Sequence, residues 1–216
     1  MTTTPVSTRR QQTRDRLLAA AAELFAERSV QAASVEEICE RAGFTRGAFY
    51  SNFESKDELC LALLEARGQQ FLEGTRRALA AIPDSVLTEH TLAEVIAKAL
   101  AVFDASLALD TRWMLVRNEL RLYAYRNPEL REVLSAAERK VFSLAVEAIA
   151  SALQRQNARS LIPVDQLMVI LDAYYERSRM NDALTGRPEV DAEWRSGIER
   201  ILRALVVLPE PEPTRD

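Results

Sequence analysis

This 216-residue chain holds few of the residues that interrupt helices or build reactive centres: six glycines, two cysteines and one histidine. Glycine costs a helix about 1 kcal/mol against alanine, so its scarcity beside abundant Ala, Leu, Glu and Arg favours helix throughout. Cys39 and Cys60 have neither CxxC nor Cys/His spacing. That argues against a metal or redox centre and fits reduced, buried thiols, so neither metal nor cofactor is expected. The lone histidine, His90, stands beside Thr91 at an expected helix entrance. There is no Gly-rich phosphate loop and no GxSxG, and nothing in the spacing of Glu119, Glu132 and Asp110 demands a carboxylate pair. Catalysis is not expected. No apolar run approaches the roughly 20 residues that cross a bilayer, and Met1 to Arg16 carries no signal-peptide core, so a cytoplasmic protein with no membrane partner is expected.

What the chain does have is ample apolar material, 48% of its residues, enough for one large or two small packed domains. Its net charge of -4 is unevenly placed: residues 1 to 56 carry eight basic and seven acidic side chains, leaving -5 for the rest. Arg9, Arg10, Arg14 and Arg16 cluster around the single Asp15. They read either as an N-terminal arm for a nucleic-acid backbone or minor groove, or as a solvated tail.

The stretch SVEEICERAGFTRGAFYSNFESK, Ser34 to Lys56, organises the chain. Ser34 followed by Glu37 is a capping box, satisfying two otherwise orphan backbone donors. Gly43 can take the left-handed conformation that closes a helix, with Phe44 folding back as its hydrophobic contact. Thr45 then caps a second helix almost at once. Two helices about a glycine turn make a helix-turn-helix, whose second member enters the DNA major groove.

Side-chain direction divides that second helix. Phe49 and Phe53 are expected inside with Phe44, against Val35 and Ile38. Thr45, Arg46, Gly47, Ala48, Tyr50, Ser51 and Asn52 are expected outward. The planar fork of Arg46 suits guanine O6 and N7, small Gly47 and Ala48 admit the helix to the bases, and the neutral polar groups suit phosphates or base edges. Ser55 with Glu58 opens a further helix, and Lys56 in its first turn is expected to bind phosphate.

The run GFTRGAFYSNFESKDEL, with TRDRLLAAAAELFAERS upstream, resembles the TetR family of bacterial transcriptional regulators over roughly residues 8 to 67. The resemblance implies an all-α fold of about nine helices: a three-helix DNA-binding head, a fourth helix as linker, and a larger effector-binding and dimerisation domain. It also implies repression of a DNA operator relieved by a small molecule. Position by position, the family's DNA contacts fall on Thr45, Arg46, Gly47, Ala48, Tyr50, Ser51, Asn52 and Lys56. Many relatives carry an aromatic and a histidine where this chain has Ser51 and Asn52, which leaves the operator sequence open.

The rest of the chain divides by its caps and breakers. The first helix is expected over about Thr8 to Glu27, on the stripe Leu17, Leu18, Ala21, Leu24 and Phe25. The fourth runs from Lys56 toward Ala80, before Pro83 and Asp84. Thr91 with Glu94 caps a fifth, Asp110 or Thr111 starts a sixth, and Asn127 with Pro128 opens a seventh running to about Gln156. Pro163 opens the eighth. The ninth follows Gly186 and Pro188 on the stripe Trp194, Ile198, Ile201, Leu202, Leu205 and Leu208. Residues 1–56 thus form the arm and DNA-binding domain, 57–208 the effector and dimerisation domain, and 209–216 a Pro-rich tail.

The last two helices, strongly amphipathic, are expected to form an isologous homodimer that reads a roughly palindromic operator. Phe103, Trp113, Arg117, Tyr123, Phe142, Tyr174 and Arg177 are candidates to line a largely apolar effector cavity, although aromatics at helical spacing also serve as plain core. Three other readings stay open. One is a ligand-independent or activating regulator; the second is a protein-interaction module in which Arg46 and Lys56 are merely solvated; the third, an enzyme, lacks its constellation.

Overall fold

The computed structural model describes residues 8–82, 94, 96–98, 100–101, 111–185 and 191–208. Helices α1 (Thr8–Arg28), α2 (Val35–Ala42), α3 (Arg46–Tyr50), α4 (Lys56–Ala80), α5 (Thr111–Arg126), α6 (Pro128–Arg155), α7 (Val164–Thr185) and α8 (Asp191–Leu205) account for most of them, with helical residues also within 94–101. Among the described residues the fold is all-α apart from one short antiparallel pair, β1 (Arg159–Ser160) with β2 (Val206–Val207).

The chain forms two compact units, Met1–Arg67 with Arg112–Glu138, and Gly68–Thr111 with Arg139–Asp216. The continuous helices α4 and α6 therefore each contribute to both. The sequence divides the chain at Lys56, but compactness groups α5 and the start of α6 with the head. One contiguous core explains this, because Leu17, Phe25, Ile38, Phe49, Phe53 and Leu59 are buried together with Val116, Leu120, Leu130 and Leu134. A three-helix head alone has too little apolar surface to bury well, and the added helix enlarges its core.

Local signals act as read. Ser34 Oγ accepts from the Glu37 N–H while Glu37 accepts from the Ser34 N–H at 2.9 Å, completing the capping box. Gly43 closes α2 at φ 71°, in the left-handed region, and the Phe44 N–H returns to the Cys39 carbonyl at 2.9 Å. Thr45 caps α3 by accepting from the Ala48 N–H. At α4 the box is shifted by one residue: Ser55 accepts from the Glu58 N–H, but Glu58 reaches the N–H of Glu54.

In the second unit Trp194 is buried and meets Tyr175 edge-on, ring centroids 5.2 Å apart. The Tyr174 hydroxyl occupies the space where a side chain on Gly197 would begin, so only glycine lets α7 and α8 approach this closely. The last helix does not carry its stripe to Leu208. It stops at Leu205 because the β-branched Val206 and Val207 pair with Ser160 and Arg159, a partnership invisible to helical periodicity.

The expected breaks at Pro83, Asp84, Gly186 and Pro188, the box from Thr91, the start at Asp110, His90 and the tail 209–216 lie outside the described residues.

Candidate nucleic-acid interface

Helix α3 is only five residues long and would not persist alone. Its inward residues hold it. Phe49 is completely buried and packs against Phe53 with centroids 5.7 Å apart, while half-buried Val35 and Phe44 flank the same core as fully buried Ile38.

A second set of contacts comes from α1. Arg10 donates to the Ser51 carbonyl at 3.1 Å and Arg14 to the Asn52 carbonyl at 3.0 Å, both just past the end of α3. Arg16 donates to the Ala42 carbonyl at 2.7 Å, at the end of α2. Helix C-termini leave carbonyls without partners and concentrate partial negative charge there, so cations are favoured at these points. Arg14 and Arg16 also lie over the rings of Phe53 and Phe44, at 4.4 and 4.7 Å. This corrects the reading of these arginines as an arm or a solvated tail. They belong to α1, and Arg10, Arg14 and Arg16 fasten the helix-turn-helix to it.

With α3 pinned from behind, Thr45, Arg46, Gly47, Tyr50 and Ser51 form one exposed surface, and Ala48 is half-buried beside them. Thr45 serves as cap, and the Ser51 hydroxyl donates to the Gly47 carbonyl at 2.7 Å. Arg46 has its side chain 61% exposed and forms an ion pair with Glu36 of α2 at 2.8 Å. Its guanidinium also lies 5.9 Å from the Tyr50 ring centre, and contact with Tyr50 and then the Glu36 charge hold its pKa above the usual arginine value. The surface thus presents an oriented guanidinium, a phenol and small residues.

Two expected contacts face elsewhere. Asn52 is buried; its amide donates to the Ala48 carbonyl at 2.8 Å and its Oδ1 is buried without a partner. The chain turns out of helix after Tyr50, and that rotation carries position 52 inward. Lys56 also points inward: its ammonium donates to the carbonyls of Val30 and Ala33, at 2.9 and 3.0 Å, and lies 5.5 Å from the Tyr123 ring centre. The loop between α1 and α2 leaves those carbonyls open, and a lysine at the start of α4 reaches them.

The candidate cavity residues are not gathered into one unit. Trp113, Arg117 and Tyr123 belong to the first, where Trp113 and Tyr123 pack on the head's core; Arg67 lies 5.1 Å from the Trp113 ring centre. Phe142, Tyr174 and Arg177 belong to the second, with Arg177 exposed and Tyr174 set against Gly197. Phe103 lies outside the described residues. Among the described residues no group of three potential metal ligands occurs, and no helix is long and apolar enough to cross a membrane.

Sequence reasoning missed Glu36 as a neighbour of Arg46 and Asp57 as a partner of Tyr123, whose hydroxyl donates to it at 2.9 Å. For Glu36 a signal existed, since it sits in the first turn after the Ser34 cap, beside the second helix of the motif. For Asp57 none did, because its partner is 66 residues away.

A short helix pinned from behind, with an oriented arginine on its open face, defines a helix-turn-helix DNA-binding protein. Residues 17–63 match the family model for bacterial regulatory proteins of the tetR family. The chain is 40% identical over 76 residues, 35% of either chain, to the transcriptional activator FasR of Mycolicibacterium smegmatis. It is 32% identical over 123 residues, 56% of this chain and 60% of the other, to the transcriptional repressor KstR2 of Rhodococcus jostii. These matches span less than two thirds of either relative's length. The fatty acid degradation regulator FadR of Bacillus halodurans shares the fold with a TM-score of 0.66 at 16% identity, covering 94% of this chain and 95% of that one. FadR of Bacillus subtilis, solved in complex with stearoyl-CoA, gives 0.62 at 18% identity over 88% and 95%. Residues 17–63 thus carry a DNA-binding region similar to that of tetR-family regulators, on a fold shared with solved regulators of that family, and the chain is a DNA-binding transcriptional regulator.

Proposed function

We propose that this protein is a cytoplasmic, homodimeric repressor that leaves a roughly palindromic operator when a small, largely apolar effector binds. The observation that carries the DNA half is the open face of α3, with Thr45, Arg46, Gly47, Tyr50 and Ser51 exposed while Phe49 and Phe53 fix its orientation. Arg46 reads guanine; Ala48 supplies a methyl at the edge of the surface; Thr45, Tyr50 and Ser51 contact phosphate or base edges. Asn52 and Lys56 support these contacts from inside rather than making them.

Dimerisation through α7 and α8 is supported by the exposed apolar side chains Val169 and Ile170 on α7. The effector reading draws support from the fold shared with the stearoyl-CoA complex of FadR, which points to ligands with an acyl chain. Phe142 and Tyr174 remain candidate contacts in the second unit, and Trp113, Arg117, Tyr123, Phe103 and Arg177 have weaker claims. Effector control requires the ligand to bind the DNA-competent and released states with different affinity. A second reading, activation, has the name of FasR in its favour.

Fluorescence anisotropy against duplexes tiled across the DNA flanking the gene, at two salt concentrations, tests the proposal. One near-palindromic duplex bound tightly, at two chains per site, with binding lost in Arg46→Ala and reversed by stearoyl-CoA, is the expected result. A specific complex indifferent to acyl-CoA removes the acyl effector class, and equal weak binding to every duplex and to a random-sequence library overturns the specific reading.

A further inference from the structure

The ion pair between Glu36 and Arg46 places a carboxylate beside the one cation of the candidate reading surface. That is an unusual neighbour for a DNA contact. A carboxylate near the duplex repels phosphate and competes with DNA for the arginine, so a surface built only for affinity would omit it. Glu36 is not needed to build α2: the cap there is Ser34 and the reciprocal carboxylate is Glu37. Nor is it buried, with its side chain 56% exposed.

Its geometry suggests another purpose. Glu36 Oε1 lies 2.8 Å from Nη1 of the Arg46 guanidinium, and the Tyr50 ring centre lies 5.9 Å from the guanidinium carbon. A guanidinium has five donors in a rigid plane, so a carboxylate on one side leaves other N–H groups to form the two parallel bonds that guanine O6 and N7 accept. An arginine without such a partner explores many rotamers, and most of them reach a phosphate more easily than a base. Held by Glu36, it is kept from phosphate and aimed at one register.

We propose that Glu36 is a specificity-determining residue of this regulator: it orients Arg46 for base readout and suppresses the binding of Arg46 to phosphate at random sites. The inference rests on the reading of Arg46 as a base contact. It adds a residue of α2 to recognition and assigns its effect to discrimination rather than affinity.

The test compares two duplexes of equal length and composition: one selected by the wild-type protein from a randomised library, the other its shuffled sequence. Full-length wild type, Glu36→Gln, Arg46→Ala and the double variant are titrated with both, and circular dichroism confirms that each variant is folded. Glu36→Gln should bind the shuffled duplex about five- to tenfold more tightly and the selected one little differently, so the ratio between them falls by about that factor. In the Arg46→Ala background the same substitution should leave the ratio unchanged, because its effect passes through the arginine. If Arg46→Ala alone keeps full discrimination, the reading of Arg46 is wrong. If Arg46→Ala loses discrimination but Glu36→Gln keeps the wild-type ratio, or lowers it equally without Arg46, the role of Glu36 is overturned.

Discussion

The Tyr123 hydroxyl donates to the Asp57 carboxylate at 2.9 Å, tying α5 to the first turn of α4. One residue earlier, Lys56 donates to the loop between α1 and α2 and lies over the same tyrosine ring. The entry to α4 is therefore fixed both to the DNA-binding head and to α5 within one compact unit. Tyr123→Phe keeps the ring and removes the hydrogen bond. Because Asp57 is exposed, the loss should lie near the lower end of the range for one hydrogen bond, about 0.5–1 kcal/mol, measured by urea titration.

Lys56→Met separates structure from DNA contact. The variant leaves two carbonyls without their charged donor and should lower stability by about 1–3 kcal/mol. Its binding to DNA should keep the wild-type dependence on salt, because an ammonium directed at the Val30 and Ala33 carbonyls neutralises no phosphate. A salt slope reduced by about one would instead make Lys56 a phosphate ligand.

Arg14 ends in a hydrogen bond to the Asn52 carbonyl and a stacking contact with Phe53. Arg14→Lys retains the charge but not the planar fork. It should cost about 1–2 kcal/mol on thermal unfolding and weaken binding to the selected duplex more than to the shuffled one, because the end of α3 loses its fastening. Unchanged binding to both duplexes would indicate instead that Arg14 acts on DNA by charge alone.

The alkaline limit of stability has a definite sign. Burial, followed by the nearby Asp57 charge, pushes the Cys60 thiol from 9.0 up to about 12, and burial with the Asp57 hydrogen bond pushes Tyr123 from 10.0 up to about 12. Both groups hold their protons more firmly in the folded state. Their contribution is complete below about pH 9 and declines as pH rises toward 12, where the unfolded chain ionises and the folded one resists. Urea midpoints should fall across that window, and the fall should be shallower in Cys60→Ala. Cys60 should also react negligibly with a thiol reagent at pH 8 in the native protein, since the thiolate is the reactive form.

The helix-turn-helix was legible because each of its signals is local. Ser34 with Glu37, Gly43, Thr45, and the pair Phe49 and Phe53 act over four residues or fewer, and each took the expected conformation. Trp194 and Ile198 were likewise legible as an inward stripe. The fate of the polar residues was not. Whether an arginine, lysine or asparagine meets solvent or a carbonyl depends on which orphan backbone groups lie within reach, and those are set by distant loops.

By itself the sequence determined the helices, their caps, the buried aromatic pair and the exposed face of α3, because backbone hydrogen bonding and hydrophobic spacing are decided within a turn or two. Only the tertiary structure decided that Arg10, Arg14 and Arg16 bind helix ends, that Asn52 and Lys56 turn inward, that α5 joins the head, and that Glu36 holds Arg46. The arginines, Lys56 and Glu36 each find a partner on another element, which only the fold brings within reach, and α5 joins the head through apolar surface buried against distant parts of the chain.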